Sequence, residues 1–207
     1  MNDYKYGIAD NKLVAGILAT LIATHVATIT GFWYEIIHLP QVDWNLFNGW
    51  YLLPEASEAS YFEKFITGWV FHSFTGLALG LAFVFLIRPR IPLPYNMVGN
   101  LQAAVGWGVV LALISMFIIV PYLDPYNAHP GFMSLDLKLA DNEGDLRPGW
   151  QTPLVILIWH TIWGIQLGSF YNPAPETAPV REMQRVGAPS TSAAAASAGG
   201  GGGGGGS

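Results

Sequence analysis

The 207-residue chain is 52% hydrophobic and 11% charged, with a mean hydropathy of +0.37 and a formal charge of −5. Soluble domains carry about 25% charged residues, so this composition is that of a protein built for lipid, and its negative balance gives no support for nucleic-acid binding. Cysteine is absent, which removes disulfides, thiolate catalysis, Cys-ligated zinc and iron–sulfur clusters.

Met1 to Lys12 is polar and mixed in charge, with no cleavable signal peptide. Leu13 to Tyr34 then runs without an acid, lysine or arginine, as does Phe65 to Ile87. A third uncharged stretch lies between Arg90 and Asp124 and is narrowed by its prolines to about Met97–Val120. The fourth, between Arg147 and Glu176, is narrowed by Pro153 and Pro173. A membrane-spanning helix needs roughly 20 predominantly apolar residues. The chain therefore reads as an all-α, polytopic membrane protein with spans over about 13–34, 65–87, 97–120 and 153–172. Residues 35–64 and 121–152 form two loops, and 173–207 a tail rich in Pro, Ala and Gly. The end of the tail, Ser190 to Ser207, is alanine followed by a run of glycines and a serine. It buries nothing and is expected to be disordered unless another chain holds it.

Charge sets the direction. Lys5, Lys12, Arg88, Arg90, Arg181 and Arg185 fall on one side of the four spans. The other side has Lys64, Lys138 and Arg147 among many acids, including Glu55, Glu58, Glu63, Asp136 and Asp145. The positive-inside bias places both termini in the cytoplasm of a cell with this chain in its cytoplasmic membrane, and both loops outside. Trp33, Tyr34, Trp44, Trp50, Tyr51 and Trp150 crowd the outer side, as interfacial anchors do.

Within the second span stands His72, with Gly76 and Gly80 four and eight residues on. The figure returns at an offset of 88 as His160, Gly164 and Gly168, with Leu79 falling on Leu167 and Phe83 on Tyr171. On a helix these positions form one stripe. Gly16–His25 can likewise be laid on Gly106–Ser115. Two helical hairpins in parallel repeat, related by an axis along the membrane normal, would produce this pattern.

His72, His160 and His25 lie about 12, 10 and 15 Å from the outer end of their helices at 1.5 Å per residue. Ionisable groups at such depth are functional candidates by default. Neutral imidazole suits iron, copper or zinc, and His72 and His160 on facing helices could supply both axial ligands of a haem b or another tetrapyrrole. Gly76 and Gly164 would then make room for the edge of the macrocycle, with Phe71, Phe74, Trp159 and Trp163 beside it. The alternatives are a bare metal ion on His72 and His160, or glycines that simply let helices approach while the histidines bond to a neighbouring helix. His25 shares a face with Leu18, Leu21, Ile22, Ile29 and Phe32, opposite the small residues of its helix. It is expected to point outward, toward lipid, a pigment or a partner subunit.

The loops carry less. Glu35, His38, Asp124 and His129 could hold a metal or relay protons but read more simply as solvated caps and turns. Asp141–Asp145 begins like a calcium loop and lacks the closing glutamate. Residues 43–53 are apolar for a loop and are expected to lie in the membrane interface or cover a neighbouring subunit. No GxSxG, Walker, HExxH or Rossmann motif occurs, and the apolar inner halves of the spans argue against a hydrophilic pathway.

Four short spans with His-x3-Gly-x3-Gly in the second and fourth resemble small four-helix membrane proteins of bacteria and haloarchaea. The resemblance covers about residues 10–172; it implies a fold and no activity, and the long outer loops and glycine tail depart from it. The expected function is that of an accessory integral-membrane subunit of a respiratory or photosynthetic electron-transfer complex, contacting lipids and other membrane subunits. The alternatives are a self-contained b-type cytochrome or membrane oxidoreductase, and a small transporter.

Overall fold

Helix starts follow from short polar side chains placed just ahead of apolar runs. Asn11 accepts from the N–H groups of Leu13 and Val14 at 2.9 and 3.1 Å and opens α1 (Lys12–Gly31). Asp43 caps α2 (Trp44–Leu52), and Asn96 caps α4 (Met97–Ile114) through the Gly99 N–H. Ser60 and Glu63 form a reciprocal capping box at the start of α3 (Tyr61–Ala82). Each such cap satisfies backbone donors that the helix itself cannot. The last helix is α5 (Gln151–Phe170). The computed structural model describes residues 4–39, 43–53, 58–119, 122, 138–140, 146–148 and 151–179.

Among the described residues four helices are long and apolar enough to cross a membrane: Lys12–Gly31, Tyr61–Arg90, Met97–Ile119 and Pro153–Phe170. The second includes π-helical residues Phe83–Ile87 and a short 3-10 turn, Arg88–Arg90, and the third ends in a π-helical turn, Ser115–Ile119. The four apolar runs are the four long helices, but some ends differ from expectation. The second starts at Tyr61, because the capping box recruits a charged first turn that an apolar count leaves out. The first stops at Gly31, after which the chain turns through Tyr34–Ile37 to His38, whose φ is 60°. Among the described residues the only strands are β1 (Lys138–Ala140) and β2 (Leu146–Pro148), a short antiparallel ladder in the second loop.

Helix α1 carries the core. Ala15, Ala19, Ala23 and Ala27 are fully buried, and Gly16, Thr20, Thr24 and Thr28 lie on the adjacent stripe. This face packs against both α3 and α5, while α4 packs against α5. Thr20 and Thr24 meet Gly80 and Gly76 so closely that a Cβ on either glycine would collide with the threonine side chain. Gly164 and Gly168 play the same part against α4: a Cβ would come within 2.7 Å of the Ala104 carbonyl and 2.9 Å of the Ala104 Cβ. Two indoles stitch the long helices together. Trp163 Nε1 donates to Thr24 Oγ1 at 3.0 Å, and Trp107 Nε1 donates to the Leu79 carbonyl at 3.3 Å.

Residues 43–53 pack within this body. Their helix, α2, packs on the start of α3, where Gly49 abuts the Lys64 backbone and Gly68 abuts the Asn45 carbonyl. The far ends of α3 and α4 are locked by Arg88, fully buried, which donates to Asn100 Oδ1 at 3.0 Å and to the Leu93 and Pro94 carbonyls. Asn100 in turn donates to the carbonyls of Gly168 and Tyr171. The N-terminal segment closes the same end: Ile8 N–H donates to the Phe170 carbonyl and Ala174 N–H to the Lys5 carbonyl. The compact body runs on to Thr177. The alanine and glycine run of the tail lies outside the described residues.

Close helix approach at Gly80 predicts a sharp contrast with Gly106, whose absent side chain faces open space. Gly80→Leu should destabilise the detergent-purified protein by about 1–3 kcal/mol through overpacking, lowering its thermal midpoint, whereas Gly106→Ala should leave the midpoint unchanged or raise it.

Candidate functional site: two imidazoles on one cavity

A neutral imidazole has one donor and one acceptor nitrogen, so its partners fix its tautomer. The three membrane histidines separate on this basis. His25 Nδ1 donates to the Leu21 carbonyl at 2.8 Å, and its Nε2 accepts from Trp69 Nε1 at 3.2 Å. Both nitrogens are occupied. His25 is half-buried against Trp69, their ring centroids 5.9 Å apart in an edge-to-face arrangement. The expectation that His25 binds a cofactor is corrected: its one acceptor nitrogen already serves α3.

His72 is the reverse. Its Nε2 lies 3.1 Å from Thr28 Oγ1, and that hydroxyl gives its own proton to the Thr24 carbonyl at 2.8 Å. Thr28 must therefore accept, which places the proton of His72 on Nε2 and leaves a lone pair on Nδ1. Among the described residues nothing hydrogen-bonds that atom.

At His160 the Nδ1 proton goes to the Ile156 carbonyl at 2.8 Å, one turn back on its own helix. Its Nε2 carries the lone pair and meets only Ser115 Oγ, at 3.4 Å. A histidine anchored through Nδ1–H to a carbonyl is the usual posture of a metal-binding imidazole, because the bond fixes the ring and raises the basicity of the other nitrogen. In each case the hydroxyl comes from the preceding span, Thr28 from α1 and Ser115 from the end of α4.

His72 and His160 line one cavity of about 420 Å³, within the range of small-molecule sites. Phe71 and Leu79 of α3, Leu111 beside Ser115, and Trp159 and Trp163 of α5 form its walls. Trp44 and Phe47 of α2 also line it. The Trp159 ring touches both imidazoles, with centroids 5.4 Å from His72 and 4.9 Å from His160. The indole N–H groups of Trp44 and Trp159 are buried without a partner among the described residues. Each such orphan costs about 1–3 kcal/mol.

The structure thus brings two of the three histidines together, though not as two matched Nε2 donors. Gly76 and Gly164 do not clear space for a macrocycle edge: Thr24 and the Ala104–Val105 backbone fill the places their side chains would take. Gly76 still borders the cavity. No group of three or more His, Cys, Asp or Glu able to hold a bare metal ion occurs among the described residues. Asp124, His129 and Asp141–Asp145 lie outside those residues, and His38 sits in an exposed turn. Thr28, Ser115 and the α2 residues escape a sequence reading. The available signal was that Thr28 and Ser115 are hydroxyls near the outer ends of otherwise apolar runs, at about the depth of the histidines. Comparison with protein-family models, with curated proteins and with solved structures returns no match.

These tautomers are directly observable. Nitrogen NMR of histidine-labelled protein in lipid should show His25 and His160 protonated at Nδ1 and His72 at Nε2. Thr28→Val, which removes the acceptor, should release His72 from that preference without altering the other two. A single tautomer shared by all three would contradict the assignment.

Proposed function

We propose that the chain is an accessory integral-membrane subunit of a larger electron-transfer complex, in which His160 holds a haem or chlorin in the cavity between α3, α4 and α5. The observation that carries this reading is the His160 Nε2 lone pair, fixed by the Nδ1 bond to Ile156 and bordering an apolar, aromatic-walled cavity. The donor set fits such a group: one anchored neutral imidazole for the metal, and Phe71, Trp159 and Trp163 for the faces of a flat ring. When bound there, a tetrapyrrole would supply a one-electron or light-absorbing centre. His72, with its Nε2 held by Thr28, lines the same cavity, as do Trp44 and Phe47 of α2. A bis-imidazole arrangement through both Nε2 atoms would require His72 to leave Thr28, so a single protein ligand is the better-supported form.

Several features support a subunit role in the cytoplasmic membrane. The long helices expose Phe74, Leu86, Val110, Phe117 and Ile118, as lipid contact requires. On α4, Gln102 is exposed and Gly106 faces open space; a polar side chain and a bare backbone patch on the outside of an apolar span suit a neighbouring helix better than lipid. Duplication is supported by Phe83 and Tyr171, equivalent positions in the two halves, which meet edge-to-face at 6.4 Å, as residues near a pseudo-twofold axis would. The Lys5–Ala174 contact puts both ends of the body together, and the basic residues favour the cytoplasmic side for that end.

Mild detergent extraction should yield a pigmented assembly well above the 22.5 kDa of the chain. His160→Ala should remove the pigment band contributed by this subunit, while His25→Ala leaves it and His72→Ala retains it with an altered position. A colourless monomer that keeps its fold, or a band that survives His160→Ala, would refute the reading.

A further inference from the structure

Flat rings that bind a metal differ most at their edges. A haem carries two ionised propionates on one edge. A magnesium chlorin has an uncharged edge with a keto group and an esterified hydrocarbon chain, and its metal needs one axial ligand.

Among the described residues no lysine, arginine, aspartate or glutamate lines the cavity at His160. Its polar lining is uncharged: the two imidazoles, the hydroxyls of Thr75, Ser115 and Tyr122, and the carboxamide of Asn48 from α2. Thr75 gives its proton to the Phe71 carbonyl at 3.0 Å. Asn48 is half-buried, and its side chain has no hydrogen-bond partner among the described residues. Unlike the sealed indole N–H groups of Trp44 and Trp159, neither end of that amide is closed off.

A carboxylate set against this wall would find no cation there, and burying an unpaired ion costs far more than burying a neutral group. Reaching past the wall does not help it. The connections that leave the bundle at this end, residues 35–64 and 121–152, carry ten acids against Lys64, Lys138 and Arg147. A dianionic edge would therefore meet charge of its own sign. Phe71, Ile118 and Ile119 border the cavity and are 40%, 63% and 42% exposed. The cavity thus opens sideways, between α3 and the turn that ends α4, onto an apolar face.

Resting on the assignment of a tetrapyrrole to His160, we propose that the bound group is a magnesium chlorin with an esterified hydrocarbon tail, not a haem. His160 Nε2 is its one axial ligand, because His72 keeps Nε2 on Thr28. Asn48 donates to the ring keto oxygen, and the tail leaves through the mouth between α3 and α4.

The test titrates the full chain in nanodiscs with chlorophyll a, haem b and haem b dimethyl ester, whose carboxylates are masked. Chlorophyll a should bind once per chain, and His160→Ala should abolish that binding. Haem b should bind at least about tenfold more weakly than its dimethyl ester, since only the ester spares the wall an ion. Asn48→Leu should keep the chlorin and raise its keto-carbonyl stretching frequency in resonance Raman spectra, which a purely structural role would not do. Haem b bound through His160 as tightly as its ester, or in preference to chlorophyll a, would overturn the chlorin while leaving a tetrapyrrole at His160. A carbonyl stretch indifferent to Asn48→Leu would overturn the part given to Asn48. If none of the three binds through His160, the tetrapyrrole and the chlorin both fall.

Discussion

The contact on which the bundle depends is the meeting of α1 threonines with bare backbone on α3. At Thr24 several constraints converge. Its side chain occupies the space that a side chain on Gly76 would need, its hydroxyl accepts from Trp163 of α5, and its carbonyl takes the proton of Thr28. Within a bilayer no hydrophobic drive brings helices together, so close van der Waals approach and interhelical hydrogen bonds must do so. The alanines on the neighbouring stripe let this happen along the whole helix, so that α1 packs against both α3 and α5.

That packing decides what the histidines can do. The Thr24 carbonyl captures the Thr28 hydroxyl proton, Thr28 becomes an acceptor, and His72 is forced to keep its proton on Nε2. His25, one turn from Leu21 and opposite Trp69, is closed by the rotation of the same helix. His160 is anchored to its own backbone through Nδ1, and its Nε2 meets only the longer Ser115 contact of 3.4 Å. Three residues of one type at similar depth thus take up different hydrogen bonds, set by hydroxyls, indoles and carbonyls with no charge of their own.

Much of this was legible in the sequence. Runs without charge give the four long helices, because burying an ion in hydrocarbon is costly at any register. The small face of α1 is legible from period alone, since residues four apart share a stripe. The glycines after each histidine are legible as close-approach positions, although the larger reading, a cleared edge for a macrocycle, did not survive the sight of Thr24 and Ala104 in those places. Partner identity across helices was not legible. Whether His72 meets Thr28 or His25 meets Trp69 depends on helix rotation and stagger, which are set by packing that no single helix encodes. The docking of residues 43–53 was not legible either: their apolar character pointed to the membrane interface or a neighbouring subunit, and nothing in it marked the bare backbone of Gly68 on the same chain as a surface they pack on. The capping box at Ser60 and Glu63 was readable, yet it sat in a stretch whose charges masked the start of a helix.

The most direct test is a high-resolution cryo-electron-microscopy map of the protein, with whatever accompanies it, extracted from its native membrane. The predicted result is planar density in the cavity between α3, α4 and α5, bonded to His160 Nε2, with His72 Nε2 still on Thr28. Lipid tails in that cavity, or α3 and α4 closed together so that no cavity remains, would contradict it.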